Sequence, residues 1–330
     1  MYCEIPEFTE PFKDALYDYV GFKRSIGHDY GKPILYRLRE IDLFFKANGV
    51  TKPEITEDMF ARWSKKRGEE SNVNRRRRVG ALIELSKFLA SRDYENIYIG
   101  SLSGLPLVSR FVPYIFSRAE IDAIFGVLHK RIQDNPKNAE AATFSMMLCL
   151  YYGCGLRKTE AQKLTIGDFN SSVGSIKIMD SKNHASRLVL ISDSIKQQLC
   201  DFCSRYRVGC GDESYLFAND DGTRFQDSKI YRNYSQTLTA AGIIPRESGK
   251  LPRIHDLRHT FCVHTLETMV QKGFDLYISL PLLVAYLGHK CIFETEYYLR
   301  LVDENFTSVT DASKRYSPSL YPEVGDICEE

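Results

Sequence analysis

Within the seven residues Ile254-His255-Asp256-Leu257-Arg258-His259-Thr260 the chain places two imidazoles and a guanidinium. The loop signal Ser248-Gly249-Lys250-Leu251-Pro252 precedes them, which predicts a helix beginning near His255. His255 and Arg258, three residues apart, then share one face of that helix. An imidazole and a guanidinium projecting together can both donate to a single anion, and phosphate is the natural candidate. A solvated helix start carrying an incidental His and Arg explains the same residues. On this motif alone the two readings stand level.

Other groups with chemical potential are spread along the second half of the chain. Gly153-Cys154-Gly155-Leu156-Arg157 follows a long apolar run, so Arg157 is expected to open a new helix with Glu160 one turn along the same face. An Arg placed there is partly desolvated and needs an anion. Glu160 or a bound phosphate could serve. Residues 175 to 192 alternate like a hairpin, which puts Lys182 at its exposed tip. A Lys in a turn is ordinarily just solvated. Leu287-Gly288-His289 closes an apolar helix, and Tyr297 and Tyr298 follow among charged residues, where packing aromatics are the plain alternative. His259 and His264, on the same helix as Arg258, read as structural. Cys200-x-x-Cys203 with Cys210 lacks a second ligand pair, so neighbouring thiols on a helix explain it better than a metal site.

The elements that must position these groups are mostly helical. In the first hundred residues PFKDALYDYVGFKRS, KPILYRLREIDLFFKANG, TEDMFARWSKKRG and NRRRRVGALIELSKFLASRDY carry apolar residues at helical spacing. Basic and aromatic residues mix on some of their faces: Tyr30, Lys32, Tyr36, Arg37 and Arg39, then Trp63, Lys65, Lys66 and Arg67. Arg75, Arg76, Arg77 and Arg78 open the fourth helix. Four consecutive guanidiniums repel one another and are not expected to be buried together. A nucleic-acid backbone would neutralise them with release of counterions. A solvated cap or a contact with a partner protein is the competing reading. Ile99 to Pro106, rich in Gly, Ser and Pro, reads as a linker continuing to Pro113. Ser117-Arg118-Ala119-Glu120 then forms a capping box, and AATFSMMLCLYYG, almost uncharged, is expected at the centre of the second domain.

A chain of 330 residues, 43% hydrophobic and 26% charged, has room for two globular domains. No apolar run reaches membrane-spanning length, and the start MYCEIPEFTEPFKD is acidic and polar rather than signal-like. The nine scattered cysteines suit reduced, mostly buried thiols. A cytoplasmic protein is expected, nucleoid-associated if bacterial. The formal charge of +1 conceals a division. Residues 303–330 hold seven acidic and two basic residues, a net of −5, which leaves +6 on the remainder. A basic body with an acidic tail is compatible with a polyanionic partner.

Taken together, Arg157 in Gly-Leu-Arg-x-x-Glu, Lys182 in a hairpin turn, His-x-Leu-Arg-His at 255 to 259, Leu-Gly-His at 287 to 289 and a Tyr nine residues later resemble the tyrosine recombinase, or phage integrase, family. Each short motif is common alone; five in this order and spacing are specific. The match runs over roughly residues 111 to 301. Tyr286-Leu-Gly-His289 followed by Thr295-x-x-Tyr298-Leu resembles recombinases of mobile elements. The resemblance implies a mainly α fold with a small antiparallel β-sheet, arranged as a two-domain C-shaped clamp on DNA. Residues 1–105 would be a helical, SAM-like core-binding domain, 106–113 a linker, 114–302 the catalytic domain and 303–330 an acidic tail that contacts protein. No further arm-binding domain is expected in front.

It also implies the chemistry. Tyr298 would attack a DNA phosphodiester, giving a 3′-phosphotyrosine and a free 5′-hydroxyl, with Tyr297 as competitor one residue short of the usual distance from His289. His255 would assist removal of the phenol proton. Arg157 and Arg258 would hold the non-bridging oxygens, with His289 a further donor. Lys182 would protonate the departing 5′-oxygen, and Glu160 would orient a neighbouring residue rather than touch DNA. No metal, cofactor or ATP is required. The implied partners are double-stranded DNA recombination sites, further copies of the chain in a tetramer on DNA, and accessory or directionality proteins. Three other activities compete: a type IB topoisomerase, a non-catalytic DNA-binding protein of the same fold, and a metal-dependent nuclease built on His255, His259 and His289.

Overall fold

The structure is a computed structural model, which describes residues 3–106, 112–179, 186–245 and 249–288. Lys182, His289, Tyr297, Tyr298, residues 107–111 of the expected linker and the acidic tail lie outside the described residues. The chain divides into two compact units, Met1–Phe111 and Val112–Glu330. Among the described residues no helix is long and apolar enough to cross a membrane.

Among the described residues the first unit has four helices, α1 (Lys13–Ser25), α2 (Lys32–Ala47), α3 (Glu57–Ser64) and α4 (Asn72–Ala90). Their starts follow local chemistry: Pro33 sits in the first turn of α2, and Thr56 and Ser71 cap α3 and α4 by accepting from the backbone N–H of Met59 and Asn74. Each helix turns an apolar stripe inward, including Leu16 and Val20 of α1, Leu38 and Phe45 of α2, Phe60 and Trp63 of α3, and Leu82 and Leu89 of α4.

The four arginines are not buried together, as expected, but they do not act as one row. The Ser71 cap starts α4 at Asn72, so Arg75–Arg78 lie inside the helix, where successive side chains are about 100° apart around the axis. Arg77 points outward and Arg78 inward. Arg78 is 3% exposed. Its guanidinium donates to both Glu70 carboxylate oxygens at 2.8 and 2.7 Å, to the Lys65 carbonyl at 2.9 Å and to the Trp63 carbonyl. Arg75 donates to the Ser64 carbonyl at 2.8 Å and Arg76 to the Leu105 carbonyl at 2.9 Å. The burial of Arg78 is possible because Glu70 and those carbonyls replace the water it loses. Trp63, expected on a basic aromatic face, is buried, with the Arg67 and Arg78 guanidiniums 4.5 and 5.0 Å from its ring centre.

The second unit is mainly α with a small antiparallel β-sheet. Its helices are α5 (Arg118–Asp134), α6 (Ala139–Gly153), α7 (Lys158–Lys163), α8 (Asp193–Tyr206), α9 (Asp227–Ala240), α10 (Ile254–Gln271) and α11 (Leu276–Leu287). The Ser117–Glu120 capping box launches α5 as expected. Charged only at Glu140 in its first turn, α6 is buried at the centre and packs against α5, α8 and α10. The hairpin is β2 (Ser175–Ile178) and β3 (Arg187–Leu190), and a two-residue β1 (Phe169–Asn170) that the sequence does not advertise pairs with β2. Ile178 faces Arg187 across the ladder, and this is its last pair before residues 180–185.

All seven described cysteines are free thiols, but only Cys154 and Cys262 are fully buried, fewer than their apolar contexts suggest.

Candidate active site

The site begins with a glycine. After α6 ends at Gly153, Gly155 turns the chain at φ +60°, where a Cβ would come within 2.5 Å of Phe261 and 2.9 Å of Leu287. Neither the backbone conformation nor the space admits a side chain. The turn delivers Arg157 to the cap position of α7, and Glu160 answers from the third residue of that helix: its Oε2 accepts from the Arg157 backbone N–H at 2.9 Å and its Oε1 from the Arg157 guanidinium at 2.7 Å. Six residues do not form a helix unaided. Gln162 anchors α7 by donating to the Phe225 carbonyl and Asp227, and Lys158 pairs with Asp227 at 2.6 Å.

Arg258 comes from α10, whose start is capped by Asp256 accepting from the Arg253 N–H at 2.8 Å. The Arg258 side chain is 1% exposed; its guanidinium donates to the carbonyls of Gly155 and Leu287 and lies 3.9 Å from Glu160. Arg157 and Arg258, a hundred residues apart in the chain, therefore share one carboxylate. A third arginine joins them. Arg187, at the first position of β3, meets Glu160 through both ends of its fork, at 3.0 and 2.9 Å. Glu160 is buried to 3% side-chain exposure. Burial alone would raise its pKa, but the Arg187 hydrogen bonds and charge, followed by Arg157, hold the carboxyl down at about 2.

The same three arginines also reach the end of α11. The Arg187 Nε donates to the Tyr286 carbonyl at 2.9 Å, Arg258 to that of Leu287 at 2.8 Å, and Arg157 to that of Gly288 at 3.5 Å. Three consecutive carbonyls at a helix C-terminus thus each receive a different guanidinium, where the helix dipole favours positive charge. Gly288 leaves the helix at φ +64°, and a Cβ there would meet the Arg187 side chain at 3.0 Å. The chain runs on from this point into His289.

His255 lies in the first turn of α10, with its ring edge-on to His259 at 4.7 Å. Desolvation by the surrounding protein, then the charges of His259, Arg258 and Arg253, push its pKa down to about 3. The imidazole is neutral at ordinary pH and can accept a proton. An anion bound beside it would raise its pKa again. The sign for stability follows. Because the folded value lies below the unfolded one, the unfolded chain binds more protons between about pH 3 and 6.5, and stability falls as pH drops through that window. His255→Gln is expected to lose less stability than the natural protein between pH 6.5 and 4. Urea midpoints measured across that range check this, and parallel losses would remove His255 as a source of acid sensitivity.

His264 is structural in its contacts, with Nδ1 3.0 Å from the Tyr152 hydroxyl. Among the described residues no three His, Cys, Asp or Glu side chains gather as metal ligands. Arg157, Glu160 and Arg258, named from sequence, come together as one cluster. Lys182, His289 and Tyr298 lie outside the described residues. Arg187 was not foreseen, and its only signal was the two-residue alternation that puts it on the buried face with Val189.

A model of the phage integrase family matches residues 117–305, more than half of the chain. The chain belongs to this family. Among curated phage integrase relatives it is 26% identical over 300 residues to a Sinorhizobium fredii protein named as an integrase/recombinase, covering 87% of this chain and 92% of that one. It is 27% identical over 252 residues to a tyrosine recombinase of Pseudothermotoga lettingae, covering 75% and 77%. Among solved structures it is similar to the XerH site-specific recombinase bound to palindromic difH substrate (TM-score 0.61, 19% identity, 86% and 78% covered). It is also similar to the Tn1549 transposon integrase in complex with transposon right end DNA (TM-score 0.59, 15% identity, 92% and 99% covered). At these identities the structural likeness is one of fold.

Proposed function

We propose that this phage integrase is a site-specific DNA recombinase that breaks and rejoins DNA through a 3′-phosphotyrosine. The observation that carries the reading is the single carboxylate of Glu160 holding Arg157 and Arg258 in one cluster. Two guanidinium forks fixed there suit the two non-bridging oxygens of a phosphodiester, whose charge grows as phosphorus becomes five-coordinate. The Tyr298 oxygen bonds to phosphorus while its proton passes toward the neutral His255 imidazole. The bond from phosphorus to the 5′-oxygen breaks, and Lys182 supplies that oxygen's proton. His289 donates to the same phosphate. One phosphoester replaces another, so the strand can be resealed by a 5′-hydroxyl from a second duplex without ATP. No metal or other cofactor takes part. The DNA partner is a pair of double-stranded recombination sites, with four protomers joined around the junction and the acidic tail contacting protein. The first unit acts as the core-binding domain.

The test uses duplexes drawn from the DNA flanking the gene. The protein should form an SDS-resistant adduct with one of them in EDTA and exchange strands between two such sites. Relaxation of supercoils without exchange would make it a topoisomerase, and cleavage that EDTA abolishes would make it a nuclease.

The arginine run offers a second test. Arg77→Ala is expected to leave stability within about 0.5 kcal/mol and to flatten the salt dependence of DNA binding by about 0.9 in log–log slope. Arg78→Ala, which strands Glu70, should instead destabilise the first unit by roughly 3 kcal/mol. Equal effects of the two substitutions on stability would contradict the inward and outward assignment.

A further inference from the structure

Arg187 meets three parts of the second unit at once. Its fork spans both oxygens of Glu160, its Nε holds the Tyr286 carbonyl, and its methylene stem packs where a side chain at Gly288 would otherwise stand. Tyr286 returns the link, its hydroxyl donating to the Leu190 carbonyl at 2.9 Å. The end of α11 and the strand β3 are therefore stitched by two hydrogen bonds of opposite direction. The Arg187 Nε and both terminal nitrogens already donate within the protein.

We propose that Arg187 is a positioning residue for strand cleavage: it fixes the Glu160 carboxylate, and through it the Arg157 fork, in register with the end of α11 and the root of the β2–β3 hairpin. The proposal rests on the recombinase reading given above. Its physical basis is the number of constraints. Arg157 and Glu160 sit on a six-residue helix whose own ladder is too short to hold a guanidinium to the tolerance that phosphate chemistry needs. Arg157 touches only one oxygen of Glu160 with its side chain, and its second tie is a long 3.5 Å contact to the Gly288 carbonyl. Arg187 clamps both oxygens and thereby fixes the plane of the carboxylate. A displacement of about 1 Å at a group holding the reacting phosphate costs on the order of a hundredfold in rate. No lysine can reproduce this geometry, because an ammonium is a single point of charge and cannot span two oxygens while also reaching the Tyr286 carbonyl.

The test compares the full-length protein with Arg187→Gln and Arg187→Lys on the duplex that the natural protein converts to adduct. Three quantities are read: DNA affinity, melting temperature, and single-turnover adduct formation. The last is measured on the natural scissile phosphate and on a methylphosphonate in its place, which lacks one charged oxygen. Both variants should bind DNA within about threefold of the natural protein and form adduct about a hundredfold more slowly. On the methylphosphonate the deficit should shrink at least tenfold, because a linkage with no negative charge depends less on a well-placed fork. Arg187→Lys guards against a misfolded variant: a natural melting temperature with slow cleavage assigns the loss to geometry. Adduct formation within threefold of natural, an equal deficit on both linkages, or a rate that falls only in step with affinity or melting temperature would overturn the proposal. If the natural protein forms adduct while Arg187→Gln matches it, this proposal alone fails. If the natural protein forms none on any flanking duplex, the recombinase reading fails with it.

Discussion

Tyr298→Phe is expected to bind its DNA site with unchanged affinity and to form no covalent protein–DNA adduct, whereas Tyr297→Phe forms the adduct. Phe lacks only the oxygen atom that is the proposed nucleophile and keeps the rest of the side chain. A phenol with a pKa near 10 is a poor nucleophile until its proton leaves during attack, so its oxygen must stand close to both the phosphorus and a proton acceptor. Two adjacent tyrosines cannot both meet that condition, because neighbouring residues of a regular backbone point in different directions. The expected effect is complete: no phosphotyrosine with Phe at 298, and a cleavage rate within a few fold of natural with Phe at 297. Denaturing gels of labelled suicide substrate give the answer. The reverse pattern would move the nucleophile to Tyr297, and adduct from both variants would overturn the assignment to Tyr298 alone.

Glu160→Ala is expected to be the most destabilising single change in the second unit, at roughly 3–5 kcal/mol. It leaves three guanidiniums gathered where their shared carboxylate had been. For a unit of this size that corresponds to a fall in melting temperature of about 10 °C. Glu160→Gln should fall nearly as far, since an amide has one accepting oxygen where the carboxylate has two, and its NH2 group faces guanidinium donors. The pH dependence separates charge from shape. The folded carboxyl sits at about 2 against an ordinary value of 4.5. Its contribution is therefore present in full above pH 4.5 and is lost as pH falls through 2. The natural protein should lose stability over that interval by an amount on the order of 3 kcal/mol that the Gln variant does not lose. Melting curves at pH 5 and pH 3 check it, and identical pH slopes for the two proteins would remove the paired charge as the source of stability.

Local pairs were the legible part of this molecule. Arg157 with Glu160 and Ser117 with Glu120 are three residues apart, so one turn of helix brings each together whatever the rest of the chain does. The buried α6 was legible from its near-absence of charge. The arginine run was not, because its sequence shows four like charges but not the direction each takes around the helix, and that depends on where the Ser71 cap starts α4. Arg187 was hidden for a related reason. Leu188, Val189 and Leu190 are all apolar, so the strand does not declare which face is inward, and only packing makes Val189 the buried one. The third strand, two residues long, has no periodicity to read. What the sequence lists as separate motifs becomes a site only through Glu160, whose partners are distributed over α7, β3 and α10.

The three carbonyls of Tyr286, Leu287 and Gly288 give this site an unusual mutational profile. Half of what orients its arginines is main chain, and a main-chain oxygen is present whatever residue carries it. Alanine at 286 or 287 would keep those acceptors and lose only what the side chains add, the Tyr286 hydroxyl bond to Leu190 or the buried Leu287. Register is another matter. One residue inserted into the last turn of α11 advances the helix by about 1.5 Å and swings each carbonyl by about 100°, so that all three arginines lose their acceptors together. A change of length at the end of α11 should therefore cost the site more than the change of any one side chain at 286 or 287.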